Sequence, residues 1–140
     1  FFGILPRPVA PQESAHRACQ TSLAMLDAIK RLNARRVSRG DAPFAVGIGI
    51  NTGPVIAGGL GSTDRIHYTI IGDTVNTTSR LEGLTRQFGE NSIVVSQHTL
   101  FALQDRRHDF ELLAMGVHTI KGKEEQLLIY QLKAGKETTG

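Results

Sequence analysis

Two short apolar runs, Phe44–Ile50 and Val55–Leu60, are separated only by Asn51-Thr52-Gly53-Pro54. A link that short leaves no room for a crossover helix, so the two runs are expected to be strands paired as a hairpin. Around them the pattern changes period. From Glu13 to Arg36, residues Ala15, Ala18, Cys19, Ser22, Met25, Leu26, Ile29 and Leu32 recur at helical spacing with charged residues on the other face, and Gly40-Asp41-Ala42-Pro43 ends the unit. Downstream, Tyr68–Ile71 reads as a strand stopped by Gly72-Asp73. A second helix is expected over Thr74–Phe88, with Asp73 or Thr74 as N-cap and Gly89 as its stop. Ile93–Val95 reads as a strand, Gln97–Leu103 as a short helix, and two strands are expected near Val117–Lys121 and Leu127–Leu132. Residues Phe1–Leu5 read as the end of a buried strand, followed by a turn-rich connection through Pro6, Pro8 and Pro11. Hairpins among strands interrupted by helices predict an α+β fold with a mixed or antiparallel sheet, not a doubly wound parallel one.

The chain has 140 residues, the size of one domain or a large piece of one. Trp is absent and aromatics are few, so the core is expected to rest on Leu, Ile, Val and Ala. The net charge of +3 suits either a solvated surface with a small excess of Arg or a site for an anionic ligand. The largest basic cluster, Arg31, Arg35, Arg36 and Arg39, has no interleaved aromatic residues to stack on bases, and no nucleic-acid partner is expected. Cys19 is the sole cysteine, which excludes an internal disulfide and a Cys-rich metal site; its place on the apolar helix face predicts a small buried hydrophobe. No apolar run reaches the length of a membrane span, and the start has neither an initiator Met nor a basic n-region. The expectation is a cytoplasmic fragment of a longer chain, membrane-associated only through other parts, with residues 1–133 as one unit and 134–140 as a polar tail.

Neither glycine-rich stretch is a nucleotide loop of a familiar kind. Gly47-Ile48-Gly49-Ile50-Asn51-Thr52-Gly53 lies within a strand, not between strand and helix, and Gly58-Gly59-Leu60-Gly61-Ser62 lacks the Lys of a P-loop. Such glycines also serve simply to let the backbone pass close to something bulky. His16, His67, His98, His108 and His118 show no metal-ligand spacing, and no acidic pair marks a two-metal site. The most informative stretch is Asp64–Glu82. Asn76 and Arg80 stand four apart on the second helix and share a face. Asn offers donors and acceptors, and Arg is a permanent cation whose planar fork fits phosphate. Thr69 ends the strand feeding that helix. These residues could face one ligand with base, sugar and phosphates; equally, Asn76 and Arg80 could form a solvated helix face.

These motifs resemble those of the class III adenylyl and guanylyl cyclases. The resemblance is carried by Phe2-Gly3, Gly47–Gly53, Gly58–Ser62, Tyr68–Asn76, Arg80-Leu81-Glu82, and Ile120-Lys121-Gly122-Lys123 with Tyr130 following. It implies a ferredoxin-like sheet with helices packed on one face, here a partial cyclase catalytic domain. It implies that Arg80 and Asn76 are catalytic: Arg80 stabilises charge on the α-phosphate in the transition state, and Asn76 orients the ribose. Thr69 matches the purine-reading position, and Thr there resembles the cyanobacterial and bicarbonate-responsive subgroup, which pairs a Lys with Thr for adenine. Ile70 would offer backbone groups to the base, and Lys121 would contact the triphosphate. The implied reaction is ATP to 3′,5′-cyclic AMP and pyrophosphate, with Mg²⁺ or Mn²⁺, in a homodimer whose sites are shared between protomers.

The departures bear on the same question. The two metal-binding aspartates of the family and its adenine-reading lysine belong upstream of Phe1, so the chain itself supplies no metal ligand. An arginine that some mammalian members carry in the first hairpin strand is also absent; Gly47 stands near that place. The chain alone is therefore expected to be inert. A non-catalytic cyclase-like regulatory domain and a guanylyl cyclase remain the alternatives; retention of Asn76, Arg80 and Lys121 favours an enzyme.

Overall fold

The computed structural model describes residues 10–60, 67–120 and 126–134. The expectations for Phe1–Leu5, Pro6, Pro8, Lys121-Gly122-Lys123 and most of the polar tail fall outside these residues. The elements are α1 (Pro11–Ser38), β1 (Gly47–Ile50), β2 (Ile56–Leu60), β3 (His67–Ile71), α2 (Asp73–Leu84), β4 (Ser92–Ser96), α3 (Gln97–Leu103), β5 (Glu111–Thr119) and β6 (Gln126–Lys133). Single 3₁₀ turns follow α2 (Thr85–Gln87) and α3 (Gln104–Asp109). Four strands form one sheet in the order β1-β4-β6-β5, and β2 and β3 form a separate two-stranded ribbon.

The α+β class is as expected, but two details differ. The expected hairpin between the runs flanking Asn51–Pro54 is absent. β1 pairs in parallel with β4, Gly47 opposite Ser92 through Ile50 opposite Val95, while β2 pairs antiparallel with β3. The physical reason lies in the link itself. The Asn51 side chain is bonded to Thr74 and Ser96, and the Pro54 carbonyl accepts from the Thr74 hydroxyl. The link is thus tied to α2 and β4 and does not close a tight turn. The helices also do not share one face. Ile93 and Val95 of β4 pack with Ala15 and Cys19 of α1, whereas Val94 between them packs with Leu81 of α2. Alternate residues of a strand point to opposite faces, so α1 and α2 cover opposite sides of the sheet. This is why every residue of β4 is buried.

The buried residues of α1, Ala15, His16, Cys19 and Ser22, all lie in its first half; Leu26 packs partly buried against the same core, and Met25, expected on the apolar face, is 43% exposed. Its N-terminal turns are clasped by the 3₁₀ turn after α3. Gln12 donates to the Leu103 carbonyl and Asp105, His16 Nε2 bonds Asp109 at 2.9 Å, and Arg106 bonds both Glu13 and His16 Nδ1. At the far end Asn33 exchanges two hydrogen bonds with the Phe44 backbone, and the Arg36 guanidinium stacks 3.9 Å over the Phe44 ring. β5 starts six residues earlier than the sequence suggests. It is an edge strand broken by a bulge between Ala114 and Val117, with Gly116 at φ 87°, so no clean alternation is visible. No described helix is long and apolar enough to cross a membrane.

Candidate functional site

The site is organised by α2. Helix α2 begins at Asp73, with Gly72 in the N-cap place at φ 142°, a conformation that suits glycine; neither Asp73 nor Thr74 is the N-cap. Leu81, fully buried, anchors the helix against Val94, Ile120, Leu127 and Ile129. Leu81 faces the sheet, Asn76 is exposed, and Arg80 is half-buried.

How close α2 comes to the sheet is set by β1. A Cβ on Gly49 would lie 2.6 Å from the Glu82 amide nitrogen and 2.8 Å from the Thr78 carbonyl oxygen. A Cβ on Gly47 would overlap the Thr85 side chain. The bulky neighbour for which the β1 glycines leave room is therefore α2 itself. On the opposite face, Ile48 and Ile50 pack with α1.

Arg80 carries the most informative local feature. Its Nη1 is buried and has no hydrogen-bond partner among the described residues. A buried guanidinium N–H left unbonded costs free energy, so this nitrogen calls for an acceptor beyond the described residues. Arg is always charged, and the acceptor that suits it is an anion. Thr69 and Ile70 lie on β3, opposite Gly58 and Ala57 of β2, and the strand runs through Ile71 and Gly72 directly into α2. The backbone thus links the Thr69–Ile70 strand to the helix of Asn76 and Arg80. Lys121 lies outside the described residues, directly after the buried Ile120.

A polar network beneath the first turn of α2 was not legible as part of the site. Asn51, at the end of β1, donates from Nδ2 to the Thr74 carbonyl at 3.1 Å and accepts at Oδ1 from the Ser96 hydroxyl at 2.6 Å. Ser96 and Thr99 are fully buried, and the Ser96 side chain caps α3 by accepting from the Thr99 amide. Asn51 stands inside the glycine-rich motif but reads from sequence as an ordinary turn residue. Among the described residues no group of three or more His, Cys, Asp or Glu could share an ion. The described residues by themselves do not form a divalent-cation site, the ligands that the resemblance implies belong upstream of Phe1, and no step is derived through a cation.

Residues 5–134 match the adenylate and guanylate cyclase catalytic domain. The chain belongs to that family. It is 36% identical over 121 residues to an adenylate cyclase of Anabaena cylindrica, covering 84% of the chain and 24% of the relative, in keeping with the cyanobacterial resemblance. Its fold is similar to the crystal structure of the adenylyl cyclase CyaB from P. aeruginosa, with TM-score 0.81 and 28% identity, covering 99% of the chain and 68% of that structure. It is also similar to the guanylyl cyclase Cya2, with TM-score 0.74 and 30% identity, covering 96% and 66%. The chain spans only about a fifth to a quarter of the length of the curated relatives it matches most strongly. The cyclase membership gives the β3–α2 region its meaning as part of a catalytic domain.

Proposed function

We propose that this chain is one wall of an adenylyl cyclase site, acting within a homodimer that converts ATP to 3′,5′-cyclic AMP and pyrophosphate. The observation that carries the reading is the buried Nη1 of Arg80, without a partner among the described residues, on the helix of Asn76 in a cyclase catalytic domain. In the reaction the ribose 3′-hydroxyl gives its proton to solvent water and its oxygen forms a bond to the α-phosphorus. The bond from that phosphorus to the bridging oxygen breaks, and pyrophosphate leaves with the electron pair. Negative charge grows on the α-phosphate oxygens, and a preplaced guanidinium stabilises it without reorganisation. Asn76 orients the ribose, so that the attacking oxygen is held near its target. Thr69 and the Ile70 backbone read the adenine, and Lys121 holds the triphosphate. The partner protomer would complete the site, and the residues that would hold Mg²⁺ or Mn²⁺ are expected upstream of Phe1.

The test is turnover by the full-length protein carrying this chain. Arg80→Ala is expected to lower kcat by about 10²–10³-fold with little change in nucleotide affinity. Equal activity in that variant would remove Arg80 from the mechanism. The choice of ATP over GTP rests on Thr69, and a kcat/KM for GTP equal to or above that for ATP would reassign the chain as a guanylyl cyclase.

A further inference from the structure

We propose that Asn51 is a positioning residue for the α2 side chains, acting through the Thr74 carbonyl. The inference rests on the adenylyl cyclase reading above. The N-terminus of α2 has no side-chain cap: Gly72 has no side chain to offer, and the Val75 and Asn76 amides turn back to the Gly72 carbonyl. Thr74 ties this end to the preceding chain. Its hydroxyl donates to the Pro54 carbonyl at 2.7 Å, and its carbonyl accepts from Asn51 Nδ2 at 3.1 Å and from the Thr78 hydroxyl at 2.6 Å. Thr74 stands two residues before Asn76, so the first turn is tied sideways to the end of β1 just where the ribose-orienting residue projects.

Asn51 suits this role because its two ends differ. The Thr74 carbonyl can only accept, so the amide nitrogen must face it, and the amide oxygen must face the Ser96 hydroxyl. An ionised Asp lacks the donor, and Asn meets the two demands with two separate atoms. The Ser96 end is buried and hydrogen-bonded on both sides. Ser96 is fully buried at the end of β4, accepts from the Thr99 amide, and Thr99 in turn contacts the Thr52 hydroxyl at 2.9 Å. The fixed point is therefore the sheet and the α3 cap, and Asn51 transmits it to α2. At the other end of the helix a separate tie runs from Ser92 to the Thr85 carbonyl at 2.9 Å. With the far end held independently, loss of Asn51 should let the first turn move while α2 stays folded.

Asn51→Asp separates positioning from folding. The carboxylate keeps the acceptor for Ser96 and the shape, but loses the donor to Thr74 and sets an anion against a carbonyl. In the full-length enzyme with ATP, kcat should fall by about tenfold or more, since displacement by about 1 Å suffices for losses of that order. KM should change by less than about threefold, and the melting temperature should stay within a few degrees of wild type. Leu26→Ala, in α1 on the opposite face of the sheet, serves as a comparison of pure destabilisation. Activity of Asn51→Asp within about twofold of wild type overturns the inference. So does a kcat loss that merely follows the loss of melting temperature along the line set by Leu26→Ala. A wild-type enzyme that makes no cyclic nucleotide overturns the cyclase reading, and this inference with it.

Discussion

Replacing Gly49 by Ala tests whether the seat of α2 on β1 sets the geometry of the site. The added Cβ would sit 2.6 Å from the Glu82 nitrogen, 2.8 Å from the Thr78 oxygen and 3.1 Å from the Glu82 Cα. All three are backbone atoms, so no side-chain rotation relieves the overlap. Ordinary contacts need about 3.5 Å or more, so α2 must back away by roughly 1 Å at the turn that contains Arg80. Overpacking of this kind costs about 1–3 kcal/mol, which lowers Tm by about 3–10 °C in a chain of this size. A displacement of about 1 Å at a transition-state residue is worth up to about 100-fold in rate. The expected result for Gly49→Ala is therefore a folded protein with a modestly lowered melting temperature and kcat reduced by about 10–100-fold. Gly83→Ala is the control, because no atom lies within 4 Å of its added Cβ. There, replacing Gly within a helix should stabilise by about 0.5–1 kcal/mol and leave kcat unchanged. Wild-type Tm and kcat in Gly49→Ala would refute the direct seating of α2. A lowered Tm with wild-type kcat would show that the seat stabilises the domain without setting the chemistry.

Two further outcomes follow from the core. Burial pushes the Cys19 thiol up to about 12, from an ordinary 9.0. The folded state thus holds the proton that the unfolded chain gives up; this contribution to stability is complete below pH 9 and is lost as pH rises towards 12. Alkylation at pH 8 should be slow in the native protein and fast in denaturant, and rapid native labelling would contradict the packing around α1. Leu81→Ala removes the anchor of α2 from a fully buried position and should cost about 2–5 kcal/mol, read as a lowered urea midpoint at constant m-value.

Segments with a strong local period were legible in the sequence. α3 was expected over Gln97–Leu103 and is found there, and Ile93–Val95 lies inside β4. The pairing of β1 was not legible, because its partner lies more than forty residues away and its own sequence neighbour was an equally good strand. β5 was hidden by its bulge, which breaks the alternation on which strand recognition depends. For the site, the four-residue spacing of Asn76 and Arg80 put both on α2. Nothing in that spacing distinguishes a solvated face from a ligand face; burial of the Arg80 nitrogen with no partner among the described residues is what favours the ligand face in the proposed reading.

The glycine-rich segment then takes on a definite role. Gly47 and Gly49 set the height of α2 above the sheet, Asn51 and Pro54 tie its first turn through Thr74, and Ser92 holds its exit through the Thr85 carbonyl. Each tie reaches α2 from the sheet side, or from the link leaving it, whereas Asn76 lies exposed. A cyclase must hold ribose and phosphate within a narrow tolerance while recognition of the base varies between adenine and guanine. On the proposed reading, the residues that set tolerance belong to β1, its following link and β4, and the base-reading residues Thr69 and Ile70 belong to the separate β2–β3 ribbon. On that reading, substitution on β3 should alter nucleotide choice without disturbing the seat of Arg80. Substitution at Gly49 or Asn51 should lower the rate for ATP and GTP alike, and a change in the ATP-to-GTP ratio from either variant would count against this division.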